Sequence, residues 1–533
     1  MKKIAVLLLT LAMVLACNKE DQQKLEQLQK DMEALEAKTV DVAAQTDVTV
    51  PDDQPFSISL DKVKYGVDAG GSVSIGYTLQ EEATVEVSTQ GGWSATVPSS
   101  AGTSGEIVIT APDVASPTQL VMTATAADGR KSAAVLPVMV RDPYTDATRT
   151  DIPAMAYYGF YNDLATDYHF QMLTDGGFNM ISIESVDDWK KQLDLCQAHG
   201  VKGVLFVNGP AGDYYRDGTS TKLRDIVNVA KNHPALAAYQ IADEPSVLQI
   251  PQLKYEKEAI EAMDPDHPIY INLHPGHAAD AMSLYGTETY AEYVERYVTD
   301  CNLEFITFDQ YPVFTGRIDP TWYMTLQVIS STARKHNIPF WAFTCCCREW
   351  NREDPTLENI RLQCNTNLAF GAQVNQFFVY RSTSGTDLAP LQTWEWRNGS
   401  KVGVVKYTEA YDYCKAYNAE MHSRGWVFSG CNVRKIRASG EFDTAVESLS
   451  ILDLPPQLKS LYTSRMALVS FIENKGNEYV VVVNSLWNST QTVKVEVNEM
   501  IYSIDHDGVF EELQPGLKEY TLEGGDMIVL KVK

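Results

Sequence analysis

Acidic side chains stand directly after apolar runs at several points of the chain. Asp243 and Glu244 end one such run, Asp309 ends a second, and Glu184 ends a third. Two carboxyl groups held close together can differ in pKa, because burial and a charged neighbour raise one pKa while the other group stays ionised. Such a pair supplies a proton donor and a negative charge, which is what cleavage of a glycosidic bond requires.

The elements that must position these carboxyls are eight apolar runs that alternate with helical stretches between Ile152 and about Gly425. The predicted strands are Ala156–Tyr161, Asn179–Ile183, Val201–Val207, Ala237–Ala242, Pro268–Leu273, Phe305–Phe308, Pro339–Phe343 and Val374–Tyr380. Continuous apolar strands indicate burial on both faces and therefore a parallel sheet. Eight β/α units in roughly 275 residues predict a TIM barrel, whose active site lies at the carboxyl ends of the strands.

Polar and aromatic side chains stand at most of these predicted strand ends, where the fold gathers them into one cup. The candidates for substrate binding are Tyr161, Glu184, Asn208, Asp243, His274, Tyr311, Trp350, Tyr380 and Arg381. His274 is either a contact to a sugar hydroxyl or a plain loop histidine. Tyr311, Trp350 and Tyr380 are candidates for stacking on sugar rings, and at least one of them is expected to be core.

The order of these motifs resembles that of the clan-A glycoside hydrolases, TIM-barrel enzymes whose acid/base Glu ends the fourth strand after Asn or Asp. Asp243-Glu244-Pro245 is similar to that motif, and Asp309–Pro312, Asn367–Ala372 and Tyr411–Gly425 add to the likeness. The resemblance covers the barrel and the β-rich region after it. It implies that Glu244 donates the proton and that Asp243 holds a sugar hydroxyl or orients Glu244. A surface Asp-Glu pair that caps the next helix is the alternative.

The second catalytic carboxylate stays open at this stage. In the clan the nucleophile is a Glu at the end of the seventh strand, but here that strand runs into Cys345, Cys346 and Cys347. Glu349 a few residues later, Asp309 and Glu184 are the candidates. If none of them serves, the chain is a non-catalytic glycan-binding protein on a degenerate glycosidase barrel. No cofactor is expected.

The three consecutive cysteines allow several interpretations. Cys345 and Cys347 would point to the same side of a strand, and thiolates at that spacing can bind a metal. A disulfide with Cys364 is a second alternative, and packing as small buried hydrophobes is a third. Packing is the preferred interpretation because no second pair of closely spaced cysteines accompanies them.

The N-terminus predicts export. A basic start and an apolar stretch in residues 1–16 are typical of a signal peptide, and Val14-Leu15-Ala16-Cys17 resembles the lipobox of bacterial lipoproteins. The resemblance implies acylation of Cys17 and anchoring to the outer membrane, on its cell-surface or its periplasmic side. Within residues 17–55, apolar positions between 19 and 37 recur at coiled-coil spacing, which predicts a self-associating helical stalk or a solvated spacer.

Two β-rich regions flank the predicted barrel of residues 144–425. Residues 56–143 show period-two alternation with frequent turn signals, which predicts an immunoglobulin-like β-sandwich. The sequence around Trp93 resembles sandwich modules of Bacteroidetes carbohydrate-active lipoproteins, and Trp93 is either a core residue or a sugar platform. Residues 426–533 predict a second β-sandwich. The net charge of −26 disfavours nucleic acid as a partner.

Overall fold

The computed structural model of this chain describes residues 55–61, 65–67, 70–89, 92–112, 120–136, 138–140, 151–184, 188–207, 221–276, 285–348, 351–382, 388–440 and 446–533. The predicted signal peptide, the lipidation site Cys17 and the stalk lie outside the described residues. Three candidates at strand ends, Asn208, Glu349 and Trp350, lie outside them as well. The chain divides into two compact units, residues 1–138 and 139–533.

The first unit is built from β-strands. Up to residue 140 the strands are β1 Ile58–Leu60, β2 Tyr65–Val67, β3 Ser72–Ser88, β4 Ser94–Thr96, β5 Gly102–Thr110, β6 Leu120–Ala126, β7 Lys131–Leu136 and β8 Val138–Val140. One antiparallel sheet has the order β4-β5-β3-β6-β7, and β1 also pairs with β3. Trp93 is 6% exposed and belongs to the core, so it is not a sugar platform. The immunoglobulin-like topology stays a prediction.

The second unit contains a closed barrel of eight parallel strands, which confirms the predicted TIM barrel. The barrel strands are β9 Ala154–Ala156, β10 Met180–Ile183, β11 Lys202–Phe206, β12 Leu236–Asp243, β13 Ile269–Leu273, β14 Ile306–Phe308, β17 Phe340–Cys345 and β18 Val374–Phe378. A small hairpin of β15 Val313–Phe314 and β16 Arg317–Ile318 lies between the sixth and seventh barrel strands.

Eight described α-helices belong to this unit. They are α1 Asp167–Asp175, α2 Trp189–Ala198, α3 Thr221–Ala230, α4 Ile250–Glu261, α5 Tyr290–Asp300, α6 Trp322–His336, α7 Leu357–Phe370 and α8 Glu409–Arg424. The helix α7 begins where the Thr356 side chain accepts a hydrogen bond from the Asn359 backbone, and it ends at Gly371 with φ 101°. Only glycine adopts that conformation without steric cost, which is why the glycine marks the helix end in the sequence.

The first barrel strand is shorter than predicted. The prediction was Ala156–Tyr161, but β9 ends at Ala156. Tyr158 has φ 54°, a left-handed conformation that a strand cannot continue through. The other seven strands begin and end within two residues of their predicted limits.

A hairpin follows the eighth barrel strand, where the sequence was not expected to form strands. It consists of β19 Leu391–Arg397 and β20 Ser400–Tyr407, which pair antiparallel. Its second strand ends at Tyr407, and helix α8 begins two residues later, at Glu409, and contains most of the Tyr411–Gly425 motif. Among the described residues, no helix combines the length and hydropathy of a membrane-spanning segment.

The C-terminal region forms the predicted β-sandwich. Its strands are β21 Asn432–Ser439, β22 Leu458–Thr463, β23 Ala467–Asn474, β24 Asn477–Asn484, β25 Gln491–Val497, β26 Ile501–Ile504, β27 Phe510–Leu513, β28 Gly516–Leu522 and β29 Met527–Lys531. A six-stranded sheet, β21-β23-β24-β29-β26-β27, faces the three-stranded sheet β22-β25-β28 across a shared apolar core. The six-stranded sheet also packs on α7, where Ser470 donates to the Ala369 carbonyl, so barrel and sandwich share one core.

Candidate active site

A cavity of about 460 Å³ opens at the carboxyl-terminal end of the barrel. Its volume is within the range of small-molecule sites in proteins. Residues that end or follow six of the eight barrel strands form its wall, which consists of Tyr157, Tyr158, Asp243, Glu244, Asn272, Pro275, Asp309, Gln310, Tyr311, Phe343, Asn351, Arg352 and Phe378. Four of the residues predicted from the sequence are therefore brought together here, namely Asp243, Glu244, Asp309 and Tyr311.

Three carboxyl groups from two strand ends face this cavity. Asp243 and Glu244 come from the end of β12, and Asp309 directly follows β14. The side-chain nitrogen of Asn272 on β13 donates to Oδ1 of Asp243 at 3.0 Å and to Oδ1 of Asp309 at 2.9 Å. These two aspartate oxygens are therefore less than about 6 Å apart.

A chain of hydrogen bonds inside the barrel fixes the orientation of Asn272. The hydroxyl of Tyr270 donates to Gln376, whose amide nitrogen donates to the hydroxyl of Thr307. That hydroxyl in turn lies 3.3 Å from the side-chain oxygen of Asn272. Because the Asn272 oxygen is engaged on this side, its two N–H groups face the carboxyls of the cavity.

The environment of Asp309 favours its protonated form. Burial raises the pKa of Asp309 well above its usual range, and the negative charges of Glu244 and Asp243 raise it further. Hydrogen bonds from Asn272 and Tyr311 oppose this effect without cancelling it. Partial desolvation at the cavity and the charge of Glu244 also raise the pKa of Asp243, while the Asn272 hydrogen bond acts in the opposite direction.

Glu244 is held in an unusual backbone conformation at the rim of the cavity. Its φ of 46° is left-handed, which costs a non-glycine residue of order 1–2 kcal/mol. The Glu244 backbone N–H nevertheless donates to the Asn272 carbonyl at 2.9 Å. The side chain is 42% exposed, and its Oε1 lies 3.6 Å from Nδ1 of His274. Tyr158, with φ 54°, is a second strained residue on the same wall.

Tyrosines anchor the two loops that carry Glu244 and His274. Tyr293 on α5 donates to the Pro245 carbonyl at 2.7 Å and accepts from the His274 backbone N–H at 3.1 Å. Tyr290 donates to the His274 carbonyl at 2.9 Å, and Tyr297 donates to the Ser246 carbonyl at 2.7 Å. These rings are buried, so the loops after the fourth and fifth strands rest on a rigid support.

A second polar cluster lies beside the cavity and contains Glu184, Tyr161 and Arg381. Glu184 is 8% exposed, and it accepts hydrogen bonds at 3.0 Å from the hydroxyls of Tyr161 and Ser182. Burial raises the pKa of Glu184 to about 7, although these hydrogen bonds and Arg381 oppose the shift. The Arg381 guanidinium stacks on the Tyr161 ring at 4.4 Å and donates to the Gly159 carbonyl. These predicted residues do not line the cavity itself.

Tyr380 lies elsewhere, so a stacking role for it is wrong. Its ring is fully buried and packs edge-on against Phe178 and Phe160. The side chain of Phe378 faces the cavity, whereas Tyr380 belongs to the layer between barrel and helices.

The cysteine cluster packs as small hydrophobes. Cys345, Cys346, Cys347 and Cys364 are all buried, and Cys364 is not part of a disulfide, so the predicted Cys364 disulfide is not formed. The thiol of Cys345 donates to the Cys347 carbonyl at 3.3 Å, and Thr344 lies 3.2 Å from Cys364. Burial raises the pKa of the Cys346 and Cys364 thiols, which keeps them neutral. Within the described ranges, no cluster of His, Cys, Asp and Glu has the arrangement of a metal site.

Several wall residues were not predicted from the sequence, and Asn272 is the most important of them. It is the one polar side chain in the apolar strand Ile269–Leu273, and that irregularity is a usable signal. Arg352 and Asn351 follow the seventh strand in a loop, where no periodicity marks them. Tyr157 sits in the stretch that was assigned to a longer first strand.

Comparisons with known proteins are distant. No protein-family model and no curated protein matches the chain. Among solved structures, a β-galactosidase from Bacillus circulans sp. alkalophilus is 9% identical and has a TM-score of 0.49, with 72% of this chain and 99% of that one covered. A β-glucuronidase from Bacteroides uniformis is 10% identical and has a TM-score of 0.35, with 90% of this chain and 76% of that one covered.

A third similar structure, a β-D-glucuronidase from Dictyoglomus thermophilum, is 13% identical, with 68% of each chain covered and a TM-score of 0.31. Likenesses at such low identities and TM-scores do not assign a function to this chain.

Proposed function

We propose that this chain is a glycoside hydrolase that cleaves O-glycosidic bonds of an oligo- or polysaccharide with Glu244 and Asp309 as its carboxyl pair. One observation carries the proposal: Asp243, Glu244 and Asp309 converge in a single sugar-sized cavity, where one amide nitrogen bridges two of them. The proximity of several acids in one cavity disfavours their simultaneous ionisation, so at least one of them keeps a proton for catalysis.

The surroundings of the two acids divide the roles between them. Asp309 lies next to the charges of Glu244 and Asp243, which favour its neutral form, so Asp309 donates the proton to the leaving oxygen. Glu244 supplies the negative charge that faces the positive centre of the sugar ring, as a nucleophile or as a base for water. The sequence resemblance had implied Glu244 as proton donor. Asp243 holds a sugar hydroxyl and keeps Asn272 in place.

The test is release of new reducing ends from a panel of plant, algal and host polysaccharides. Glu244→Gln and Asp309→Asn keep the shape of each side chain and remove its acid chemistry, so both are expected to lose about 10²- to 10⁴-fold in rate. Glu256→Gln is the matched control, because Glu256 is a buried carboxyl on α4 that bonds only within its helix. Cleavage by both cavity variants at the wild-type rate would contradict the proposal.

A non-catalytic glycan-binding protein is the second candidate function. The observation in its favour is the seventh barrel strand, whose described end carries Phe343 and Cys345 and places no carboxylate in the cavity. Glu349 stays a candidate for that position. Retardation of the protein in polysaccharide gels, with no reducing ends released by the wild type, would favour this alternative.

We propose in addition that the chain is an exported lipoprotein anchored through Cys17. Support comes from the basic and apolar residues 1–16 and from the small residue Ala16 before Cys17. Cys17→Ser is expected to abolish labelling by a palmitate analogue and to release the protein from outer membranes. Self-association through residues 19–37 would be tested by comparing the sedimentation of chains with and without that segment.

A further inference from the structure

The hairpin of β19 and β20 emerges at the same end of the barrel as the cavity. The Ser382 backbone N–H donates to the Leu391 carbonyl at 2.9 Å, and Leu391 donates to the Tyr380 carbonyl at 2.8 Å. The start of the hairpin is therefore hydrogen-bonded to the segment that follows the eighth barrel strand. Ala389, just before it, packs with Tyr158 and Phe378, which both line the cavity.

One face of this hairpin carries two tryptophans. Trp394 and Trp396 are two residues apart on β19, so their side chains project from the same side of the strand. Trp396 is 75% exposed, the largest exposed fraction of any aromatic side chain in the described part of the chain. An indole held in water forgoes the large apolar burial that this side chain normally gains, and its exposed ring can stack on a flat ligand.

Trp394 is held in a defined orientation. Its indole N–H donates to Oγ of Ser382 at 2.8 Å. On the neighbouring strand it pairs with Gly403, where a Cβ would lie 3.5 Å from the ring. The ring thus rests against the backbone of Gly403 and forms a fixed platform next to Trp396.

The base of the hairpin lies near the candidate active site, because Ala389 packs in one cluster with the cavity residues Tyr158 and Phe378. Ser382, the hydrogen-bond partner of Trp394, follows Arg381, whose guanidinium stacks on Tyr161. Tyr161 in turn donates to Glu184 in the polar cluster beside the cavity. A sugar chain that leaves the cavity on this side would meet hydroxyl-binding groups first and flat aromatic rings next. The apolar C–H face of a pyranose ring stacks on an indole, while its hydroxyls remain in water.

We propose that the Trp394–Trp396 platform is a remote sugar-binding subsite, and that the substrate is a glycan of several residues rather than a disaccharide. The proposal rests on the proposed function, because it assigns the platform to the chain that the cavity cleaves. The alternative is a docking surface for another protein. Weaker retardation of the Trp396 variant in a polysaccharide gel would exclude it.

Binding is measured on the Glu244→Gln protein, which does not degrade the ligand, by electrophoresis in native gels that contain xylan, galactomannan, soluble β-glucan, polygalacturonate or mucin. Trp396→Ala in that background is expected to weaken binding to the retarding polysaccharide roughly tenfold. Tyr462→Ala is the matched control, because Tyr462 is 58% exposed on β22 of the C-terminal sandwich. Trp396 makes few packing contacts, so its replacement leaves the fold intact.

A second measurement separates this proposal from the proposed function. In the active protein, Trp396→Ala is expected to lower kcat/KM on the polymer and to leave hydrolysis of an aryl monoglycoside unchanged. Equal retardation of the Trp396 and Tyr462 variants, or no retardation of any protein in any gel, would overturn the subsite. Loss of cleavage by Glu244→Gln and Asp309→Asn is independent of that result, so the two proposals fail separately.

Discussion

The amide nitrogen of Asn272 lies 2.9 Å from Oδ1 of Asp309, and Asp309 shares this hydrogen-bond donor with Asp243. A donor of this kind stabilises the ionised form of a carboxyl and so lowers its pKa. The bond therefore sets how tightly Asp309 keeps the proton that glycoside cleavage needs.

Removal of that donor should shift the pH dependence of the reaction. In Asn272→Ala the pKa of Asp309 rises further, because the opposing hydrogen bond is lost while burial and the Glu244 charge remain. Since a proton donor works only below its pKa, the alkaline limb of the kcat/KM profile is expected to move to higher pH. Asn375→Ala is the control, because Asn375 is a buried amide on β18 that does not line the cavity. An alkaline limb that moves to lower pH would contradict the role of Asn272.

Glu184 predicts a pH-dependent change in stability. Burial raises its pKa to about 7 in the folded chain, against 4.5 for a free side chain. The folded state therefore favours the neutral carboxyl, and this contribution is complete below pH 4.5 and lost as the pH rises through about 7. Above pH 8 the buried charge lowers the free energy of unfolding by on the order of 3 kcal/mol.

Glu184→Gln removes that charge and keeps a side chain that can bond to Tyr161 and Ser182. We expect its thermal midpoint to exceed that of the wild type at pH 8.5 and to match it at pH 4, as measured by calorimetry. A variant that is less stable than the wild type at pH 8.5 would show that the charged form of Glu184 is stabilised by Arg381 instead.

The third prediction concerns Tyr293, one of the buried tyrosines that anchor the loops of the site. Tyr293→Phe deletes the hydroxyl that bonds both the Pro245 carbonyl and the His274 N–H. The two loops that carry Glu244 and His274 therefore lose a shared anchor. We expect kcat to fall at least tenfold with little change in KM, together with about 1–3 kcal/mol of stability.

Tyr239→Phe is the matched variant for this test. Tyr239 is also fully buried, but its hydroxyl donates to Asp264 and lies outside the cavity wall. It should lose comparable stability while keeping the activity per folded molecule. If both variants lose kcat to the same extent, the effect of Tyr293 is general destabilisation and the positioning argument is wrong.

Much of the fold was accessible from the sequence because buried parallel strands are continuous apolar runs. The seven strands from β10 to β18 within the barrel follow this rule, and the glycines at 200 and 371 mark helix ends. The rule wrongly extended the first strand through Tyr157–Tyr161, because an aromatic run contains no sequence signal for a left-handed residue such as Tyr158. It also missed the β19–β20 hairpin, whose tip is exposed on both faces and therefore lacks alternation.

The site was predictable only where a polar residue ends a strand. Asp243, Glu244 and Asp309 satisfy that rule, and the barrel brings them to one cavity. Asn272 lies within its strand and reaches the cavity because β13 points it inward, a fact that depends on the closed geometry of the barrel. Tyr380 shows the opposite failure, because residues after a strand end can turn outward into the helical layer.

The division of roles between Asp309 and Glu244 is tested most directly by the leaving-group dependence of two variants. An aryl glycoside with an acidic phenol as its leaving group needs no proton, whereas a natural glycan does. We expect Asp309→Asn to lose more than about 10²-fold on the glycan and little on the activated aryl glycoside, and Glu244→Gln to lose activity equally on both. Selective retention of the aryl glycoside activity by Glu244→Gln, with equal losses in Asp309→Asn, would contradict Asp309 as the proton donor.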